Sequence, residues 1–249
     1  MRAVLIVAVM AMLVSPAQAA EVQVRCPALV HDAMEEFAAG FQRQTGVKVT
    51  VISGPMGKLV DAIQTAAAPP DVVILPPGLM DLLAMRSGVK TGTRAPLARV
   101  EIGLAVASGA PKPDISSVER LRAALLTAKA VTYTKPGPPR FSMEAQMIDG
   151  LLKRPEFSGI HALPAPNGSG VDFLAAGHAD MAMQVVPEIL ATKGVVLVGP
   201  LPSALDMHID VVVSVFAHAR DASDASAFIA YITRSEAERV WRMQGIARE

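Results

Sequence analysis

The sequence predicts an α/β protein with mostly parallel sheets and helices on both faces, and three observations carry the prediction. Strand-like and helix-like stretches alternate along nearly the whole chain, with no repeat of fixed period. Val72-Val73-Ile74-Leu75, after Asp71, is a continuous apolar run of strand length, the pattern of a parallel strand covered on both faces. Residues 47–88 read as one unit of strand, loop, helix, buried strand and helix. The loop of that unit, Ser53-Gly54-Pro55-Met56-Gly57, sits at the carboxyl end of a strand and the amino end of a helix, where exposed N–H groups can hold an anion. Gly54, Met56 and Gly57 are therefore the first candidate ligand-binding residues.

Composition narrows the partners. Among 249 residues there are 23 Lys and Arg against 23 Asp and Glu, so the zero formal charge gives no reason to expect nucleic acid or an anionic membrane. Hydrophobic residues make up 51% and charged ones 18%, enough apolar side chains for a sizeable core. Arg2, the apolar run 3–14 and Pro16-Ala17-Gln18-Ala19-Ala20 read as a secretory signal peptide over residues 1–20, cut after Ala19 or Ala20. The competing reading, a retained membrane anchor, has no second long apolar segment to support it. Export to the periplasm is expected. With a single cysteine, Cys26, no intramolecular disulfide can form, and that thiol is either reactive by its place before a helix or an inert core residue.

Each element has a local reason. After a short strand at 21–25, a helix over 28–45 carries Met34, Phe37, Ala38 and Phe41 on one face and stops at Gly46. The strand 47–52 leads into the helix that starts at Lys58 and is stopped by Pro69-Pro70. A helix over 79–86 closes at Gly88, and VEIGLAVA, 100–107, is a strand followed by a Pro-rich turn at 108–113 that is expected to carry the first crossing between lobes. Ser116 or Ser117 caps a short helix, 130–133 is a strand, and TKPGPPR, 134–140, delivers the chain into a helix over 141–152. A weak strand at 159–163, a turn at 167–170 and a helix over 171–176 follow. Strands at 181–186 and 195–198 flank a helix near 187–192, and 209–216 is a long apolar strand able to return to the first lobe. Helices over 222–233 and 236–244 end the chain, the first capped by Asp221 or Ser223.

Catalytic signatures are weak. Gly168-Ser169-Gly170 lacks the first glycine of a nucleophile elbow, and Gly57-Lys58 is a fragment of a phosphate loop. The five histidines form no metal-ligand pair, and His178-Ala179-Asp180 reads as a solvated turn, so neither metal nor cofactor is expected.

Ala68-Pro69-Pro70-Asp71-Val72-Val73-Ile74 before a helix containing Met80, and Ala191-Thr192-Lys193-Gly194-Val195 after a strand, resemble the type II periplasmic solute-binding proteins of ABC transporters, specifically their molybdate-binding branch. The resemblance implies two lobes joined by two crossing strands, with ligand in the cleft between them. It implies one lobe at 21–106 together with 208–249, a second at 107–207, and a monomer that delivers an anionic small molecule to an ABC permease in the inner membrane.

Residue by residue, the family's first-loop serine is replaced by Cys26-Pro27-Ala28-Leu29, and its serine-rich second loop by Gly54-Pro55-Met56-Gly57-Lys58. Its Pro-Ala-Gly falls on Pro138-Pro139-Arg140, next to Phe141, and its tyrosine on Val185, beside Gln184. The implied ligand contacts are thus Cys26, Pro27, Ala28, Gly54, Met56, Gly57, Lys58, Arg140, Phe141, Gln184 and Val185, with Asn167 and Ser169 as further cleft-facing guesses. A tetrahedral oxyanion would lose donors needed to replace its hydration, which favours an organic anion over molybdate. Arg140 and Lys58 at helix starts either clamp a carboxylate or are solvated surface residues. The alternatives in function are a periplasmic enzyme or sensor partner on the same fold, and the effector domain of a transcription regulator, against which the signal peptide and the lack of a DNA-binding segment speak.

Overall fold

The structure is a computed structural model that describes residues 21–86, 88–90, 92–137 and 142–248. The expected signal peptide lies outside the described residues. Among them no helix is long and apolar enough to cross a membrane.

The first part of the chain gives β1 (Glu21–Pro27), a 3-10 turn (Ala28–Val30), α1 (His31–Thr45), β2 (Lys48–Gly54), α2 (Met56–Gln64), β3 (Val72–Leu75) and α3 (Pro77–Arg86). Next come β4 (Ala95–Ala107), α4 (Val118–Thr127), β5 (Val131–Thr134), α5 (Met143–Leu152), β6 (Ala162–Ala165) and α6 (Gly170–Ala175). The chain continues through β7 (Met181–Val185), α7 (Val186–Ala191), β8 (Val195–Pro200) and β9 (His208–Val215) to α8 (Ala222–Thr233) and α9 (Glu238–Met243). This is the expected α/β alternation. Capping follows the sequence: Gly46 is left-handed at the end of α1, Ser117 caps α4 and Asp221 caps α8.

Strand order is β2-β1-β3-β9-β4-β7-β5-β6, with β8 also paired to β4. Parallel pairs lie towards the ends, β1 with β2 and β3, and β5 with β6 and β7. In the middle, β4 and β9 run antiparallel to their neighbours, because β4 carries the chain out of one lobe and β9 brings it back. Alternating strands and helices say nothing of these two directions. β4 pairs with β9 as far as Glu101 and with β7 from Ile102, so one continuous strand joins the two sets of parallel strands. At the start of the turn over 108–113 the Ser108 amide donates to the Gly194 carbonyl at 2.9 Å.

The return segment is fastened to the first lobe by aromatic packing. Phe37 and Phe41 on α1 meet Phe228, Tyr231 and Trp241 with ring centroids 5.0 to 6.2 Å apart. Trp241 is fully buried and its indole N–H donates to the Ile232 carbonyl at 3.1 Å. At the same joint the fully buried Asp71 carboxylate accepts from the Gln23 amide at 2.8 Å and from the Arg220 amide at 2.7 Å. That carboxylate ties the start of β3 to β1 and to the loop after β9.

Candidate ligand cleft

Strand ends and helix starts build one cleft of about 520 Å³ between the two halves of the molecule. From the first lobe come Pro27, Ala28 and Leu29 after β1, and Gly54, Pro55 and Met56 where β2 passes into α2. From the second come Thr134 at the end of β5, Ser142 at the start of α5, Ser169 before α6, and Gln184 and Val185 at the end of β7. Ligand sites of open α/β sheets lie outside the carboxyl ends of parallel strands for this reason: helix starts with unpaired N–H groups gather there.

The two walls differ in chemistry. The first-lobe wall offers mostly small and apolar side chains, with Asp32 on α1 and Gln244 after α9 as its polar ones. The second-lobe wall offers hydroxyls, each held by a donor from the protein. Ser142 Oγ accepts from the Ala145 amide at 3.0 Å, and Ser169 Oγ from the Asp172 amide at 3.3 Å. Thr134 Oγ1 accepts from the Gln184 side-chain amide at 3.0 Å and from the Gly170 amide at 3.2 Å. Gln184 Oε1 in turn accepts from the Val185 amide at 2.9 Å. Thr134, Ser169 and Gln184 are 6%, 6% and 1% exposed, so this polar wall is dry apart from the cleft itself. Carboxylates of Asp32, Glu144 and Glu188, each in the first turn of a helix, also line the cleft, as do Gln244 and Ile246 near the end of the chain.

Six of the expected residues, Pro27, Ala28, Gly54, Met56, Gln184 and Val185, are brought together in this cleft, as is Ser169. Three others are not among its lining residues. Cys26 is fully buried in the core, where loss of solvent and then the Glu35 charge push its thiol up to about 12, which makes it the inert alternative. Gly57 and Lys58 are exposed on α2, because each helical step turns the side chain by about 100° away from Met56. Lys58 uses its amide to close the helix start on the Pro55 carbonyl at 3.0 Å. Asn167 is exposed outside the lining, and Arg140 and Phe141 lie outside the described residues. Thr134 and Ser142 escaped sequence reading: the first ends an apolar strand, and the second was absorbed into a helix expected to begin at 141. Among the described residues no group of three or more His, Cys, Asp or Glu side chains could hold a metal ion.

Residues 22–247 match the family of bacterial extracellular solute-binding proteins. The chain belongs to that family. Two solved relatives of this solute-binding protein share its fold at low identity. The substrate binding domain of a putative molybdenum ABC transporter from Clostridium difficile has a TM-score of 0.74 at 17% identity, covering 93% of this chain and 100% of that one. The periplasmic molybdate-binding protein of Azotobacter vinelandii has a TM-score of 0.69 at 16% identity, covering 92% of this chain and 99% of that one. An aconitate isomerase from Pseudomonas sp is 30% identical over 174 residues, which is 68% of this chain and 65% of that protein's length. The two-lobed periplasmic binding-protein fold is thus shared with the solved relatives, and the curated relative bears the name of an enzyme.

Proposed function

We propose that this protein is exported to the periplasm, closes its two lobes on a small organic anion and, as a monomer, presents the closed form to an ABC permease. The part built on β1, β2, β3 and β9 would move against the part built on β5 to β8, pivoting in β4 and in the return chain before β9. Ligand drives closure only as far as it binds the closed form better than the open one.

The observation that carries the choice of ligand is the division of the cleft into an apolar wall and a hydroxyl wall. A tetrahedral oxyanion fills the space of a few waters, roughly 30 Å³ each, whereas the cleft measures about 520 Å³ and Gln244 is the one side-chain amide among the lining residues of its first-lobe wall. A carboxylate attached to a hydrocarbon frame satisfies both walls, its charge on Thr134, Ser142 and Ser169 and its carbon atoms on Pro27, Leu29 and Met56.

The test is thermal shift of the mature protein against molybdate, tungstate, sulfate, citrate, cis-aconitate and trans-aconitate. A ligand at 100 times its dissociation constant adds about 2.7 kcal/mol, which for a chain of this size raises Tm by roughly 5–11 °C. Stabilisation by carboxylates alone supports the reading; stabilisation by molybdate or tungstate alone overturns it.

A second reading, isomerase rather than transport protein, is favoured by the 30% identical aconitate isomerase. An allylic shift takes a proton from the methylene beside the double bond and returns one at the far end of the three-carbon unit. Asp32 and Glu144 are the carboxylates in the cleft that could carry that proton. Proton NMR of cis-aconitate with the protein in D2O decides: appearance of the trans isomer with deuterium incorporated establishes turnover, and an unchanged spectrum over hours excludes it.

A further inference from the structure

Thr134 stands apart from the other hydroxyls of the cleft. A hydroxyl oxygen has two lone pairs and one hydrogen. In Ser142 and Ser169 one lone pair is taken by a backbone amide, which leaves each side chain free either to accept or to donate. In Thr134 both lone pairs are taken, one by Gln184 Nε2 and one by the Gly170 amide. Only its hydrogen remains, and among the described residues no acceptor holds it.

The direction of the chain of bonds is set from behind. The Val185 amide donates to Gln184 Oε1, so the side-chain nitrogen of Gln184 must be the end that faces Thr134. A one-way sequence results: Val185 N–H to Gln184, Gln184 N–H to Thr134, Thr134 O–H to the cleft. Each bond polarises the next inside a buried wall, which strengthens the final donor.

We infer that Thr134 is a specificity-determining residue of the cleft, an obligate donor that selects a ligand oxygen able to accept, best an ionised carboxylate, and rejects an O–H or N–H presented at the same point. This deepens the reading of the cleft as an organic-anion site and rests on it. A buried donor left facing another donor loses its partner altogether, so discrimination is larger than one hydrogen bond between neutral groups provides. The competing structural role, in which Thr134 merely anchors α6 through Gly170, predicts no dependence on the ligand's charge.

The experiment measures trans-aconitate affinity by calorimetry for the wild-type protein, Thr134→Val, Thr134→Ser and Gln184→Glu, at pH 7.5 and again at pH 4. Thr134→Val should weaken binding about 10- to 100-fold at pH 7.5, the scale of a hydrogen bond to a charged group, and less at pH 4, where a larger share of the ligand's carboxyl groups is protonated. Thr134→Ser should stay within about threefold of wild type. Gln184→Glu keeps the hydroxyl but gives it an acceptor behind the wall, so it should lose affinity at pH 7.5 with folding confirmed by Trp241 fluorescence; it also answers the question if the valine variant does not fold. Equal loss at both pH values, or wild-type affinity in the folded Thr134→Val or Gln184→Glu protein, overturns the inference while leaving the organic-anion reading in place. Failure of the wild-type protein to bind any carboxylate of the panel overturns that reading and this inference with it.

Discussion

Gly170 is the residue on which the cleft's polar wall is most tightly assembled, and replacing it tests that assembly. A Cβ built there would lie 2.5 Å from the Tyr133 Cα and 2.7 Å from the Tyr133 carbonyl carbon, against 3.4–4 Å for ordinary contact. These are backbone atoms of β5, so no rotamer can relieve the clash; α6 must move away from the strand by about an ångström. That movement strains packing at a cost of about 1–3 kcal/mol and breaks the Gly170 to Thr134 hydrogen bond, worth about 1 kcal/mol more. Gly170→Ala should therefore lose about 2–4 kcal/mol in urea unfolding and, on the proposed function, weaken ligand binding through a displaced Thr134. Gly150 is the control, an exposed glycine in α5 with no atom within 4 Å of the added Cβ. Gly150→Ala should be neutral or stabilising by up to about 1 kcal/mol. Equal effects of the two substitutions would refute the close approach of α6 to β5.

Asp71→Ala should cost about 2–4 kcal/mol in the same assay, because it orphans the amides of Gln23 and Arg220, and Asp71→Asn should recover part of that; a change below half a kcal/mol would make the buried carboxylate dispensable. Asp210 is held below its ordinary value of 3.8, first by its hydrogen bond to Arg99, so its contribution to stability is present above that value and is lost as pH falls through the lower, folded one. Asp210→Asn should accordingly lose less stability than wild type between pH 6 and pH 3, and parallel acid curves would remove the pair from the account. Cys26, with its thiol pushed up to about 12 by burial, should resist Ellman's reagent at pH 8 in the folded protein and react fully in guanidinium; rapid native reaction would place it on an open surface.

Periodicity made the elements legible, since helix faces such as Met34, Phe37, Ala38 and Phe41 and runs such as Val72-Val73-Ile74-Leu75 declare their burial locally. Strand direction at β4 and β9 was not legible, because which neighbour a strand meets is decided by chain far away. The same division holds in the cleft. The strand-end loop at 53–57 offered Gly54 and Met56, and the family resemblance implied Pro27, Ala28, Gln184 and Val185, while Thr134 takes its distinctive state from groups 36 and 50 residues further along the chain. No local pattern around Val131-Thr132-Tyr133-Thr134 records that convergence.

The redistribution of donors also bears on how closure and recognition are linked. Cys26-Pro27-Ala28-Leu29 and Gly54-Pro55-Met56 leave the first lobe without hydroxyls, and Thr134, Ser142 and Ser169 put them on the second. On the proposed function, an anion can therefore dock on the second lobe first, and most of its carbon frame gains contact when the first lobe arrives. On that same reading, burial of the frame, at about 25 cal/mol for each Å² of apolar surface, is then the differential binding energy that closes the cleft. On the proposed function, a carboxylate stripped of its hydrocarbon, such as formate, would bind without closing the lobes, and larger frames would shift the open and closed populations in proportion to the apolar area they cover, a dependence that small-angle scattering across an acid series can measure directly.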